Sequence, residues 1–218
     1  MKVKEMGNEQ EMPAVYDDLL DTLTCQGRRL DPIVWDDLVD RLAAHNVTHL
    51  GGGSVDAGRA SPYVGPYSVD LMQLVRALAR APEPRLRDGL IALLLRHPEH
   101  AAAVRGVLSS MEARDPARYA ITARLLAAAA LQREHAATWA RALPGYPLID
   151  VGDLVTALDL PAPEEDDGRA LLTAAQEVVR GRHRTLDYID GWEDVARHAL
   201  RETLGVAAFE RITAAVGG

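Results

Sequence analysis

Two histidines with the spacing of metal ligands are the first candidates for chemistry in this sequence. His97 and His100 form a His-x-x-His pair, and Glu99 and Glu134 add carboxylates nearby. Zinc is bound by nitrogen and oxygen ligands of these kinds. Pro98, however, biases His97 out of a helix, so the two rings need not converge. Because the His-Glu-x-x-His pattern is also missing, we predict surface or capping histidines, with no metal site and no cofactor.

The sequence offers one cysteine and no recognisable serine nucleophile. Cys25 falls in the last turn of a predicted helix, at the negative end of the helix dipole, which disfavours a reactive thiolate. No Gly-x-Ser-x-Gly elbow occurs anywhere in the chain. A single cysteine cannot form an intrachain disulfide, which fits a reducing compartment. We therefore expect no catalytic nucleophile.

A glycine-rich stretch near residue 50 is the other candidate for chemistry. The segment 47–50, the one stretch that could be a strand, leads into Gly52, Gly53 and Ser54, and Asp70 follows after a loop. This order resembles the core of the minimal nucleotidyltransferases, in which a glycine-rich turn holds a triphosphate and nearby carboxylates bind two metal ions. The resemblance implies nucleotide binding by Gly52, Gly53 and Ser54, with Ser54 and Asp70 as the catalytic pair.

The same segment departs from that family at a critical position. Ser68 stands where the family has its first metal-binding carboxylate, and a neutral hydroxyl cannot replace a carboxylate beside phosphate charge. Everything after Val69 is predicted to be helical, which leaves no third strand. Ser68 is also a good helix N-cap, with Asp70 in the first turn. The segment 52–70 therefore supports an alternative function only, that of a divergent and inactive nucleotidyltransferase-like protein.

The densest basic cluster closes a helix predicted at 166–183. Arg180, Arg182 and Arg184 lie where cations stabilise the helix dipole, and they could also anchor an acidic partner surface or a phosphate. Trp192 follows, and Arg and Trp together are typical of interface hot spots, although a core position is the alternative for Trp192. We take these three arginines and Trp192 as the candidate partner-binding residues.

Helix signals run along most of the chain. Asp-Pro pairs at Asp31-Pro32 and Asp115-Pro116 are typical of helix starts, since the Asp caps free amides and Pro suits the first turn. Leucines cover most of the circumference of the segment 84–96, which predicts a central helix. The predicted helices are 13–26, 32–45, 69–81, 84–96, 99–111, 116–131, 133–143, 151–159, 166–183, 191–204 and 206–216.

A short sequence motif recurs at the boundaries of these predicted helices. Arg80-Ala-Pro-Glu83 recurs as Arg96-His-Pro-Glu99, and Arg114-Asp-Pro-Ala117 follows, each at a predicted helix boundary. Over about 69–131 this resembles a stack of helices of the HEAT type, although ordinary helix boundaries give the same letters. We predict a mainly α fold, either a multi-helix bundle or a HEAT-like array, with at most one short strand pair near 47–50.

Two prolines suggest a boundary between two helical parts of the chain. Pro144 and Pro147 mark a break. We therefore predict an N-terminal helical domain at 1–145, with a Gly- and Pro-rich loop at 51–67. Residues 146–218 form a C-terminal helical subdomain, either separate from the first or continuous with it.

Charge and hydropathy limit the possible partners. The net charge of −8 argues against a protein that coats nucleic acid or an anionic membrane, because both require a basic face. No apolar run approaches the ~18 residues that span a bilayer, and the N-terminus is too polar for a signal peptide. These features predict a cytoplasmic protein with no membrane contact.

The sequence as a whole favours binding over catalysis. We expect a non-catalytic helical protein of a bacterium that binds another protein as a regulatory or accessory subunit, as an antitoxin does. We do not expect nucleic acid as a partner. The sequence leaves open whether the chain forms a homo-oligomer. The enzymatic alternative rests on the segment 52–70.

Overall fold

The computed structural model describes residues 32–48, 50, 71–136, 138–139, 145–158, 168–182, 191–205, 208–209 and 214. Within these ranges the chain is mainly helical, which confirms the predicted fold class. The helices are α1 (Pro32–Ala44), α2 (Leu71–Arg80), α3 (Pro84–Arg96), α4 (Ala101–Ser110), α5 (Pro116–Glu134), α6 (Gly152–Ala157), α7 (Gly168–Arg182) and α8 (Trp192–Leu204), with a 3-10 turn at Pro98–His100.

The short strand that the sequence allows near residue 50 does not form among the described residues. Val47 and Thr48 are irregular, and Leu50 lies in a turn. Most of the other predicted helices are present with small shifts of their ends. The helices predicted at 13–26 and 206–216 and the loop at 51–67 lie wholly or mainly outside the described residues.

Local capping chemistry is visible at the start of α5 and at the end of α1. Asp115 accepts a hydrogen bond from the Ala117 amide at 2.8 Å, which confirms the predicted start of α5. At the other end of α1, Asn46 adopts a left-handed conformation with φ 60°, which Asn tolerates better than most residues. The chain then turns back, and the Val47 amide donates to the Leu42 carbonyl at 2.9 Å.

Helices α3 and α5 form the centre of the molecule. Every residue from Leu86 to Leu95 is buried, which confirms that α3 is central. Residues 120–132 of α5 are buried as well, and their many alanines let neighbouring helices approach closely. Because α5 contacts α2, α3, α4, α7 and α8, the described helices surround it as a bundle. In a stacked array, by contrast, each unit contacts only its neighbours.

One hydrophobic core includes residues from both sides of position 145. Ile149 and Leu200 belong to the same buried cluster as Leu90. Gln132 of α5 fixes the segment that follows Gly145, since its side chain accepts from the Ile149 amide and donates to the Pro147 carbonyl, both at 2.7 Å. The division at 145 itself stays a prediction.

A charged pair is buried where three helices meet. Arg124 of α5 is only 1% exposed, and it donates from Nε and Nη2 to Oδ1 of Asp88 on α3 at 3.2 and 3.0 Å. Trp192 of α8 donates from Nε1 to the same oxygen at 3.0 Å, and the guanidinium lies 5.6 Å from the Trp192 ring centroid. The pair therefore ties α3, α5 and α8 together.

The burial of Trp192 corrects one prediction. Trp192 is 0% exposed, so the prediction that it contacts a partner is wrong, and the core alternative is the one observed. A ring buried to this extent has no surface to offer, whereas its N–H satisfies the Asp88 carboxylate.

Helices α5 and α7 meet at a glycine. A Cβ atom added to Gly168 would lie 2.5 Å from the Ala130 carbonyl oxygen and 2.9 Å from the Glu134 amide nitrogen. Both atoms belong to the backbone and cannot move aside by a side-chain rotation. The start of α7 therefore requires glycine at this position.

Removing one member of the buried pair should cost more than removing both. Asp88→Ala leaves the Arg124 charge buried without its carboxylate, and we expect the free energy of unfolding in urea to fall by about 3–5 kcal/mol. The double variant Asp88→Leu/Arg124→Met buries no charge and should be the more stable of the two. A single variant as stable as the parent would contradict the role given to this pair.

Two Gly→Ala substitutions should have opposite effects. Gly168→Ala introduces the backbone clash, and we expect it to lower the free energy of unfolding by about 1–3 kcal/mol. Gly106→Ala is the matched control, because a Cβ there meets no atom within 4 Å. In the helix α4 it should stabilise the protein by roughly 0.5–1 kcal/mol. Urea unfolding curves of both variants measure the difference, and equal effects would contradict the close approach at Gly168.

Candidate metal-binding site

A histidine cluster forms where α1 ends and α3 turns into α4. His45 follows α1, and His97 and His100 stand on either side of Pro98 in the turn between α3 and α4. The ring centroid of His45 lies 6.0 Å from that of His97 and 5.5 Å from that of His100. The centroids of His97 and His100 are 5.0 Å apart. Three imidazoles therefore share one small volume.

Pro98 explains both the departure of His97 from the helix and its approach to His100. His97 does leave the helix, with φ −132° and ψ 67°, as expected for a residue before proline. The chain then forms a 3-10 turn, in which side chains three residues apart lie almost above one another. His97 and His100 have that spacing, and their rings stack at an angle of 21°. The two rings therefore do converge, which the sequence left open.

The hydrogen bonds of His97 define which ring nitrogen is available. Nε2 lies 2.9 Å from the carbonyl oxygen of His45. Because a carbonyl oxygen can only accept, Nε2 carries the proton and donates it. In the neutral ring, Nδ1 then holds a lone pair. Nδ1 lies 3.1 Å from Oε1 of Glu99, so this contact requires a positive charge, either a second ring proton or a cation.

His100 contributes a buried nitrogen that lacks a partner. Its Nε2 is buried and has no hydrogen-bond partner within the described part of the chain, an arrangement that is rare in folded proteins. Burial lowers the pKa of His100, and the charge of His97 lowers it further, while Glu99 acts in the opposite direction. The neutral imidazole that results is the form that binds metal ions.

The pKa of the third histidine is lowered for a similar reason. Burial lowers the pKa of His45, and the charges that His100 and His97 carry when protonated add to this effect. The cluster thus combines three imidazoles with one carboxylate. One ligand atom each from His97, Glu99 and His100 can be chosen so that all three lie within 4.8 Å of one another. Small side-chain rotations would bring such a set onto a single ion.

Helix α8 holds the two halves of this junction together. Arg96, the last residue of α3, donates from Nη1 to Oε2 of Glu202 at 3.2 Å. The amide of Thr48 donates to Oε1 of Glu202 at 3.3 Å, and the Thr48 hydroxyl donates to the same oxygen. A single carboxylate therefore binds both the end of α3 and the chain that leaves α1.

No protein-family model matches this chain, and neither a curated protein nor a solved structure does so. Among the helices described, none is both long enough and apolar enough to cross a membrane.

Of the other residues singled out from the sequence, only some lie within the described part of the chain. Arg180 and Arg182 belong to the last turn of α7, and Glu134 ends α5. The remaining candidates, Cys25, Gly52, Gly53, Ser54, Ser68, Asp70 and Arg184, lie outside the described residues. The nucleotidyltransferase-like alternative stays a prediction.

His45 is the member of the cluster that the sequence analysis missed. It lies 52 positions before His97, and no spacing rule connects residues so far apart. The His-x-x-His pair was the one available signal, and it indicated His97, His100 and the neighbouring Glu99 but not their orientation.

Proposed function

We propose that this protein binds a divalent transition-metal ion with the ligand preferences of zinc. The ligands are Nδ1 of His97, a carboxylate oxygen of Glu99 and Nε2 of His100. The observation that carries the proposal is the contact of 3.1 Å between Nδ1 of His97 and Oε1 of Glu99. With the other ring nitrogen donating to a backbone carbonyl, a cation between these two atoms satisfies both.

The surroundings of His97 support this assignment. A metal-bound histidine commonly donates its second ring N–H to a carboxylate, a water or a backbone carbonyl, which fixes the ring and its tautomer. The bond from Nε2 of His97 to the His45 carbonyl is of this kind. The buried, unpartnered Nε2 of His100 supplies a second nitrogen ligand.

The ligand types determine which ions are favoured. Two imidazoles and one carboxylate suit zinc, and also nickel, copper or cobalt, because imidazole binds these borderline ions well. Magnesium and calcium prefer shells made only of oxygen atoms. We therefore expect selectivity for the transition metals.

Protein binding, the function expected from the sequence, is a second proposal. In this second proposal the chain is a non-catalytic regulatory or accessory subunit in a bacterial cytoplasm. Its role would resemble that of an antitoxin. Two apolar side chains in the segment around α6 favour it, since Leu148 is 58% exposed and Leu158 is 38% exposed. The same segment is anchored to the core through Gln132, so these side chains are presented on a fixed support.

Metal binding can be measured directly on the chelator-treated protein. We expect isothermal titration with Zn²⁺ to give one saturable site, and His97→Ala and His100→Ala each to weaken it by more than ~100-fold, beyond the effect of an outer-shell partner. His198→Ala is the matched control, because His198 is exposed on α8 and should leave the affinity unchanged. Excess Mg²⁺ should not compete.

Failure of the parent protein to bind Zn²⁺ saturably would refute the metal proposal. The contact between His97 and Glu99 would then be an imidazolium–carboxylate pair.

The partner proposal is tested by purifying the tagged protein from its native host at moderate salt. We expect one near-stoichiometric partner by mass spectrometry, lost when Arg180, Arg182 and Arg184 are all changed to Glu, since charge reversal repels an acidic surface. Leu148→Ser/Leu158→Ser tests the segment around α6 in parallel. Circular dichroism confirms that each variant is folded. Purification without any partner would contradict this proposal.

A further inference from the structure

We infer that His45 is the fourth protein ligand of the proposed metal ion, so that the site is closed to solvent and substrate. The inference rests on the proposed function, because without an ion there is no shell to complete. It goes beyond that proposal by deciding between two kinds of zinc site. Structural sites have four protein ligands, whereas catalytic sites have three and keep a position open.

The spacing of the rings fits a shared tetrahedral ion. With Zn–N distances of ~2.0–2.1 Å and tetrahedral angles, the centroids of two imidazole ligands lie ~5 Å apart. The three observed separations are 5.0, 5.5 and 6.0 Å. Among the described residues, the ligand atoms that lie within 4.8 Å of one another come from His97, Glu99 and His100. The ring of His45 must therefore turn a nitrogen toward these atoms to complete the tetrahedral shell.

The turn after α1 allows His45 to take two roles. Its carbonyl accepts the hydrogen bond from Nε2 of His97, and the left-handed Asn46 and the bond from Val47 to Leu42 hold this part of the backbone in place. Its ring makes no hydrogen bond among the described residues and already contacts the rings of His97 and His100 at an edge. The ring is therefore available to the ion while the carbonyl orients His97.

A metal ion with four protein ligands would hold neighbouring helices together. The described contacts of α1 are mainly with α2 and α3, and the chain leaving α1 is held by the hydrogen bonds of Thr48 to Glu202. Coordination by His45 would join the end of α1 to the turn between α3 and α4. Metal binding would then slow the local opening of α1, because an opened helix end loses a ligand.

The first test compares His45→Ala with the parent protein. The substitution removes the ring and keeps the backbone carbonyl, so the orientation of His97 is retained. We expect Zn²⁺ affinity to fall at least ~10-fold, the lower limit for groups that support a metal site. Hydrogen exchange at the amides of residues 42–47 should slow on Zn²⁺ addition in the parent and in the His198→Ala control. In His45→Ala it should not respond.

A second readout distinguishes an open shell from a closed one. The absorption spectrum of the Co²⁺-loaded parent should not change on addition of azide, because four protein ligands leave no position for it. The His45→Ala variant should bind azide, and its spectrum should shift. This measurement reports on coordination even where the substitution alters stability.

The outcomes separate the inference from the proposed function. Equal Zn²⁺ affinity in His45→Ala, with equal exchange protection and an azide response in the parent, would overturn the role of His45 and leave the three-ligand site intact. A parent that binds no Zn²⁺ would refute the proposed function itself.

Discussion

The buried Asp88 carboxylate is the interaction on which the arrangement of the helices depends. Taking a carboxylate and a guanidinium out of water costs several kcal/mol for each ion, and only close, well-oriented partners repay it. Here one oxygen of Asp88 accepts two hydrogen bonds from Arg124 and one from Trp192. Any displacement of α3, α5 or α8 would leave part of that charge unsatisfied. We therefore expect the pair to favour one packing of these three helices over alternatives in which Ala and Leu contacts slide past one another.

The interaction at Asp88 fixes α3 and α8, and the positions of these two helices also determine where the histidine cluster lies. Asp88 and Arg96 lie on one helix, so fixing α3 at its middle also fixes where it ends and where His97 begins. Trp192 and Glu202 likewise lie on one helix, and Glu202 binds both Arg96 and the chain after α1. The site is therefore assembled at the end of two helices whose positions are determined in the core.

The cluster shows how a local rule can bring together side chains that it did not require to meet. Proline ends α3 at the residue before it, and the 3-10 turn that follows places the side chains at its two ends above one another. His97 and His100 therefore stack. A metal ion in this position would be held by the fold and would in turn support it.

Helix content and several helix starts follow from the sequence, because capping and apolar periodicity are local effects. Asp115 before Pro116 and the leucines of α3 are examples, and the structure agrees with both. The sequence also marked His97 and His100 as a pair, since their spacing is short. It could not decide between the core and a partner surface for Trp192 or bring His45 to the pair, because these contacts join residues far apart in the chain. Only the packing of the helices brings such residues together, and no spacing rule describes that packing.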